Sequence, residues 1–311
     1  MKTKFKIHIQ PRTMAILAAL FVTILWASSW VLIKVGLKDI PPILFVGLRY
    51  MLAFLCLLPL YIRQARKTET KPISTGMFLQ LILLGFLLYA ITQGTNYIGL
   101  SRMPAITTSL ILSFISIFTA LLGILFLHEK PAAIQWLGVC LSLVGTWAYF
   151  STGDFHSTDW VGIAIVFGGV IAAALAAVLG RTINQHSGLH PIQVTTISMA
   201  SGGIVLLIAG MIMETFPVLS WKSILIILWL AIVNTAFAFT IWNWTMKFLT
   251  AVESTVINSA MQVEVPILAV LFLQETLNVQ QIIGLSLTVA GILIVQTGKT
   301  WFQRKTPPAT L

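Results

Sequence analysis

Charge is what this chain has least of. Among its 311 residues, 9 are Asp or Glu and 19 are Lys or Arg, so 9% of the chain is charged against 58% hydrophobic, with a mean hydropathy of +0.94. A soluble domain carries about 25% charged residues, and this complement is too small to cover a soluble surface of that size. Cysteine is scarce as well. Cys56 and Cys140 lie in long apolar runs with no metal-ligand spacing and no histidine nearby, and are expected to be small apolar core residues. The five histidines all fall in or beside expected loops. The spans hold no His-Glu-x-x-His, no Gly-x-Ser-x-Gly and no paired aspartates, which argues against an intramembrane enzyme. A Walker A pattern is absent, which argues against ATP coupling within the chain. The longest loop is about 14 residues, too short for a signalling domain. No cofactor and no metal site are expected.

What is present is apolar sequence in long runs. A hydrocarbon core about 30 Å thick needs roughly 20 apolar residues per helix, and ten such segments can be marked. They lie near 14–36, 43–62, 77–98, 104–127 and 132–150, then 160–180, 192–213, 222–246, 251–273 and 278–297. Turn and breaker signals such as "KDIPP", "SRMP", "HEKP" and "NQHSGLHP" separate them. The expected fold is an all-α polytopic membrane protein with ten transmembrane helices. The basic stretch "MKTKFKIHIQPRT" before the first span resembles a signal peptide, but no small-residue cleavage site follows, so a retained span is expected.

The basic residues are distributed unevenly. With the N-terminus inside, 14 of the 19 fall on the cytoplasmic side, only Lys34, Lys38, Arg102 and Lys222 fall on the other, and Arg49 lies within the second span. This bias predicts cytoplasmic tails at 1–13 and 298–311 in a bacterial cytoplasmic membrane. It also accounts for the net charge of +10 through lipid headgroups, so no nucleic-acid partner is needed.

The chain also repeats itself. Shifting "MPAITTSLILSFISIFTALLGILFLHEKPAAIQWLGVCLSLVGTW" by 146 residues places Ala105 on Ala251, Glu129 on Glu275, Gly138 on Gly284 and Gly145 on Gly291. Each half, 14–150 and 160–297, holds five spans. An odd number makes the two copies inverted, an arrangement used by many secondary transporters and by some channels.

The stretches "LWASSWVLIKVGL…PPILFVGLRY", "LFLHEKPAAIQWLGVCLSLVG" and "LFLQETLNVQQIIGLSLTVAG", together with the repeat, resemble the EamA-type branch of the drug/metabolite transporter superfamily. The resemblance spans about residues 14 to 297. It implies a secondary carrier, often an exporter of amino acids or other small metabolites, working by alternating access. One departure stands out. The family often has Pro or Glu-Pro thirteen residues before the helix-ending Glu, where this chain has Ser116 and Gln262, with Pro266 one turn later.

Polar groups inside the spans are the candidate site. An ionisable residue at a helix centre costs about 2.5–3.5 kcal/mol on insertion scales. Glu264 is a candidate proton-coupling carboxylate, or an anion meeting a substrate amine, or the partner of Arg49 or Lys34 in a structural ion pair. Pro266 beside it is a candidate gating kink. Gln93, Asn96, Tyr97, Trp242 and Asn243 read as a cavity lining, with helix–helix hydrogen bonds the alternative. Trp26, Ser28, Ser29 and Trp30 lie on the first span, too deep at Trp26 for an interfacial belt, and are expected at the substrate together with Gln262. Lys34 is expected to snorkel to the headgroups as an anchor. Arg49 could meet an anion or snorkel toward the interface, and structural use is expected; Glu129 and Glu275 are expected to be structural, serving the N-terminal ends of the helices that follow them. Small-residue faces at Gly138-x-x-x-Ser142 and Gly284-x-x-x-Thr288 suit close packing, a homodimer contact included. The expected partners are lipid, a small-molecule substrate and protons.

Overall fold

The computed structural model describes residues 11–67, 73–127, 133–151, 159–245, 248–249, 257–258 and 260–303, and these contain helices and connections but no strand. In lipid every backbone N–H and C=O must be satisfied within the protein, which a helix does without partners. A helix stands in each of the ten segments. They are α1 (Pro11–Gly36), α2 (Pro42–Lys67), α3 (Thr75–Arg102), α4 (Ala105–Leu112) with α5 (Ile115–Leu127), α6 (Ala133–Phe150), α7 (Trp160–His186), α8 (Pro191–Met213), α9 (221–245), α10 (Met261–Leu273) and α11 (Val279–Gln303). Seven of them, α1, α2, α3, α6, α7, α8 and α9, are long and apolar enough to cross a membrane, and the apolar stretches of the others are shorter.

The local starts follow the sequence. Proline opens α2 and α8, where its missing N–H is no loss. Ser74, Asp159 and Ser220 cap α3, α7 and α9 by accepting from the backbone N–H of Met77, Gly162 and Ser223. Two helices are interrupted near their middles by π-helical turns, Phe86–Gln93 in α3 and Ile232–Phe237 in α9. In each, a threonine hydroxyl donates five residues back, Thr92 to Leu87 O and Thr235 to Leu230 O, both at 2.8 Å.

Small residues set the packing. A Cβ added at Gly138 would lie 2.6 Å from Gly291 O, and one at Gly145 would lie 2.6 Å from Gly284 O, so α6 and α11 run antiparallel in backbone contact. Ser142 and Thr288 meet at the crossing, where each hydroxyl lies within 3.5 Å of the other's carbonyl. Helices α2 and α8 are likewise antiparallel, with Gly210 against Leu44 and Gly47 against Leu207. Helix α1 lies between α9 and α10, and α7 packs along α3, α4 and α5.

Three expectations change here. Cys56 and Cys140 are exposed on the outer surface of the bundle rather than in its core, because the apolar runs that carry them face outward as well as inward. Lys34 does not reach outward. Its Nζ donates to Leu100 O (2.6 Å) and Met103 O (2.5 Å), where the unpaired carbonyls ending α3 attract a cation. The Gly-x-x-x-Ser and Gly-x-x-x-Thr faces meet one another within the chain, so they leave no surface there for a homodimer contact.

Candidate functional site

A cavity of about 360 Å³ lies in the middle of the bundle, walled by α1, α2, α3, α4, α5, α9 and α10. Of the residues expected there, Trp26, Ser29, Trp30, Gln93, Asn96 and Gln262 line it. Trp26 is held by an aromatic cluster, with ring centroids 5.4 Å from Phe239 and 5.1 Å from Trp242. Trp242 therefore supports the wall from behind. Ser28 does the same: its hydroxyl donates to Leu25 O and accepts from Asn234 Nδ2 at 3.2 Å, and Nδ2 also donates to Leu25 O, tying α9 to α1. Tyr97 is fully buried and stands behind Arg49. The side chain of Asn243 and all of Glu129 lie outside the described residues.

Arg49 is the residue whose setting differs most from the sequence expectation. It is 6% exposed and forms part of the cavity wall instead of snorkelling toward an interface. Nε donates to Thr235 Oγ1 (3.1 Å) and Nη1 donates to Tyr97 Oη (3.2 Å), while the Tyr50 ring centroid is 5.4 Å from the guanidinium carbon. The π turn in α9 contributes directly, since Thr235 spends its proton on Leu230 O and offers its lone pairs to Arg49. Asn234, Tyr50, Thr92, Ser109, Asn258 and Phe239 also line the cavity without having been singled out from sequence. Asn234 and Phe239 belong to the polar–aromatic run 234–244, so that run was the signal. No spacing rule marks Ser109 or Thr92.

Glu264 is not part of the cavity wall, although Gln262 and Val265 beside it are. One carboxylate oxygen accepts from Thr23 Oγ1 of α1 at 3.0 Å, and the other is buried with no partner among the described residues. Among those residues it makes no ion pair with Arg49 or Lys34. Pro266 is buried within α10.

A second cavity of about 420 Å³ lies where α3 gives way to α4. Its charged groups are already satisfied. Glu275 accepts from Ala105 N (2.6 Å) and Ile106 N (3.0 Å), and so caps α4 instead of α11, the helix that follows it. Glu214 does the same for α2 through Ile43 N and Leu44 N. Arg102 grips Asp159 at 2.6 and 3.0 Å, and this bond, with the Gly162 amide, holds the Asp159 carboxyl below the usual carboxylate range. Of these two cavities, the central one sets the rings of Trp26, Trp30 and Phe239 beside buried polar atoms, Asn96 Oδ1 and Asn234 Oδ1, that have no partner among the described residues, as binding sites for small molecules do.

The sequence profile of the EamA-like transporter family matches the chain twice, over residues 13–151 and 160–297. The chain belongs to that family. Among curated proteins, the EamA chain is 25% identical to an uncharacterized transporter, YoaV, of Bacillus subtilis, over 89% of this chain and 95% of that one. It is 27% identical to an uncharacterized inner membrane transporter, YedA, of Escherichia coli K12, over 91% and 90%. A protein of Salmonella typhimurium named "Probable amino-acid metabolite efflux pump" is 27% identical over 89% and 92%. A solved crystal structure superposes with a TM-score of 0.66 at 15% identity, covering 94% of this chain and 99% of the other, which shows a shared fold. The chain is thus a multi-pass membrane protein of a transporter family and not an enzyme.

Proposed function

We propose that this EamA protein is a secondary active transporter that exports a small metabolite, an amino acid or related compound, by alternating access. The observation that carries the reading is the central cavity, walled by helices of both halves of the chain and lined by aromatic rings and a few polar groups. In the proposed arrangement ten transmembrane helices form two inverted five-helix repeats, 14–150 and 160–297. Two features support it. Helices α6 and α11, equivalent under the 146-residue shift, pack antiparallel, as inversion requires. The two π turns begin at Phe86 and Ile232, positions that the same shift superposes. Carriers of this kind bind substrate at the repeat interface and rock one repeat against the other. The "efflux pump" name of the Salmonella relative supports the outward direction.

Trp26 and Trp30 give the substrate its apolar contacts, and Ser29, Gln93, Asn96 and Gln262 its hydrogen bonds. Tyr97, Trp242 and Ser28 position that wall. Glu264, half-buried beside the cavity with one shielded oxygen that has no partner among the described residues, is the coupling group that takes up a proton, and Pro266 lets α10 flex next to it. The excess of Lys and Arg on one side supports a cytoplasmic position for both termini.

Reconstitution into proteoliposomes tests the proposal. The expected result is saturable uptake of a labelled amino acid, accelerated by unlabelled substrate on the opposite side. Conductance that neither saturates nor shows exchange would assign the protein to the channels.

A further inference from the structure

We infer that Arg49 anchors the carboxylate of the substrate, so that the central cavity selects small monocarboxylates with an apolar or aromatic body and rejects the corresponding amines and amides. The inference rests on the carrier reading above and deepens it.

Charge balance is the first ground. A guanidinium stays protonated in proteins, and this one is more than nine-tenths buried within a membrane-spanning bundle. Among the described residues no carboxylate lies within 4.0 Å of it, and its two protein acceptors, Thr235 Oγ1 and Tyr97 Oη, are neutral. A buried cation without a counter-ion is costly, so an anion that enters the cavity gains the Coulombic interaction the protein leaves unfilled.

Donor arithmetic is the second. Arginine carries five N–H groups in a fixed fork. Nε and one N–H of Nη1 are used, which locks the fork's orientation. The other N–H of Nη1 and both of Nη2 have no partner among the described residues. A planar carboxylate suits such free edges, which it can accept from in bidentate fashion.

The remaining lining narrows the class. Among the described residues, Arg49 is the only charged one in the cavity wall. A phosphate dianion would call for further cations, whereas a carboxylate is balanced by one. Cationic amphiphiles meet repulsion and no compensating acid among the described residues of the wall, since Glu264 is outside it. The wall also holds the rings of Trp26, Trp30 and Phe239, which suit a hydrocarbon or aromatic tail, and about 360 Å³ limits the guest to a small molecule. Natural amino acids satisfy these terms through their carboxylate, and the ammonium group is not what the site requires.

The test is competition in proteoliposomes loaded with a mixture of amino acids. Phenylalanine, leucine, their N-acetyl derivatives, their amides, and the amines phenethylamine and isoamylamine are offered as competitors of labelled phenylalanine and labelled leucine. Free acids and N-acetyl acids are expected to compete, with amides and amines roughly 10- to 100-fold weaker, the range for one charge-assisted hydrogen-bonded contact. Arg49→Lys is expected to keep the preference for acids at reduced affinity, and Arg49→Gln to lose it. The wild-type panel needs no variant, so a misfolded Arg49→Gln protein leaves the test intact. Amines or amides that compete as well as the acids would overturn the carboxylate assignment and leave the carrier reading standing. Absence of saturable exchange with every member of the panel would remove both.

Discussion

Glu264 and Arg49 are two ionisable groups within one bundle that do not pair with one another among the described residues: Arg49 is buried, and Glu264 is half-buried with one oxygen shielded. Nature usually cancels such charges, because each alone is costly in hydrocarbon. Keeping them apart leaves each available: the arginine faces the cavity, while the carboxylate sits behind it against Thr23 of α1. Thr23 Oγ1 also lies 2.8 Å from Leu20 O, so protonation of Glu264 would reverse the bond, with the carboxyl donating to Thr23 and Thr23 to Leu20 O, and so change the link between α10 and α1, two helices that both wall the cavity. For Glu264→Gln, which keeps the Thr23 hydrogen bond but cannot change charge, substrate exchange is expected to persist while uptake driven by an imposed pH gradient is lost. Parallel flux assays with and without the gradient separate the two. Gradient-driven uptake at wild-type rate in the variant would mean that the proton passes elsewhere. Sequence reasoning could locate these charges within spans, but spacing alone could not show which face of α2 turns toward the cavity. That is why Arg49 was expected to be structural and Lys34 to be an anchor: both conclusions depend on neighbours that arrive from α3, α4 and α9.

At the scale of elements, contacts between glycines do most of the positioning. The ten apolar runs were legible because hydrophobicity and proline mark where a helix runs and starts, and a helix stands in each. The π turns and the break between α4 and α5 at Ser113 and Phe114 were not legible, because they alter hydrogen-bond register without altering composition. Close packing can be tested directly. In Gly145→Val the added side chain meets Thr288 N at about 2.5 Å and Gly284 O at 2.6 Å, both backbone atoms that cannot move aside. A loss of stability of at least about 1–3 kcal/mol, the usual range for overpacking, is expected, read as a lower melting temperature in detergent. Gly168→Ala, with no atom within 4 Å of its new methyl, is the control and should melt at or slightly above the wild type, since alanine favours the helix over glycine. The Arg102–Asp159 link between α3 and α7 tests the connections by pH. The folded Asp159 carboxyl titrates below its unfolded range, so its stabilisation is complete above that range and disappears as pH falls through the folded value. Asp159→Asn keeps the cap on Gly162 but removes the charge. The two proteins are therefore expected to differ in melting temperature near neutrality and to converge in acid, by a small amount because the pair is exposed.

For the whole molecule the decisive property is the relation between its halves. The antiparallel contact of α6 with α11 is what a twofold axis in the membrane plane produces when it superposes one repeat on the other. Under the proposed five spans per half, the same consequence reaches the connections: the loop after the first span and the loop after the sixth would emerge on opposite faces of the membrane. Lys38, between α1 and α2, and Ser187, between α7 and α8, occupy these corresponding loops. The native thiols are exposed and can be replaced first, as Cys56→Ala and Cys140→Ala. In that background Lys38→Cys is expected to react with a membrane-impermeant maleimide added to intact cells. Ser187→Cys is expected to react only after the membrane is opened. Labelling of both from outside would make the halves parallel, and a cavity between parallel halves could not be exposed alternately by exchanging their roles. Labelling of Ser187→Cys alone would keep the inversion but reverse the orientation. The substrate would then meet the two faces in the opposite order, and the excess of basic residues would lie outside the cell.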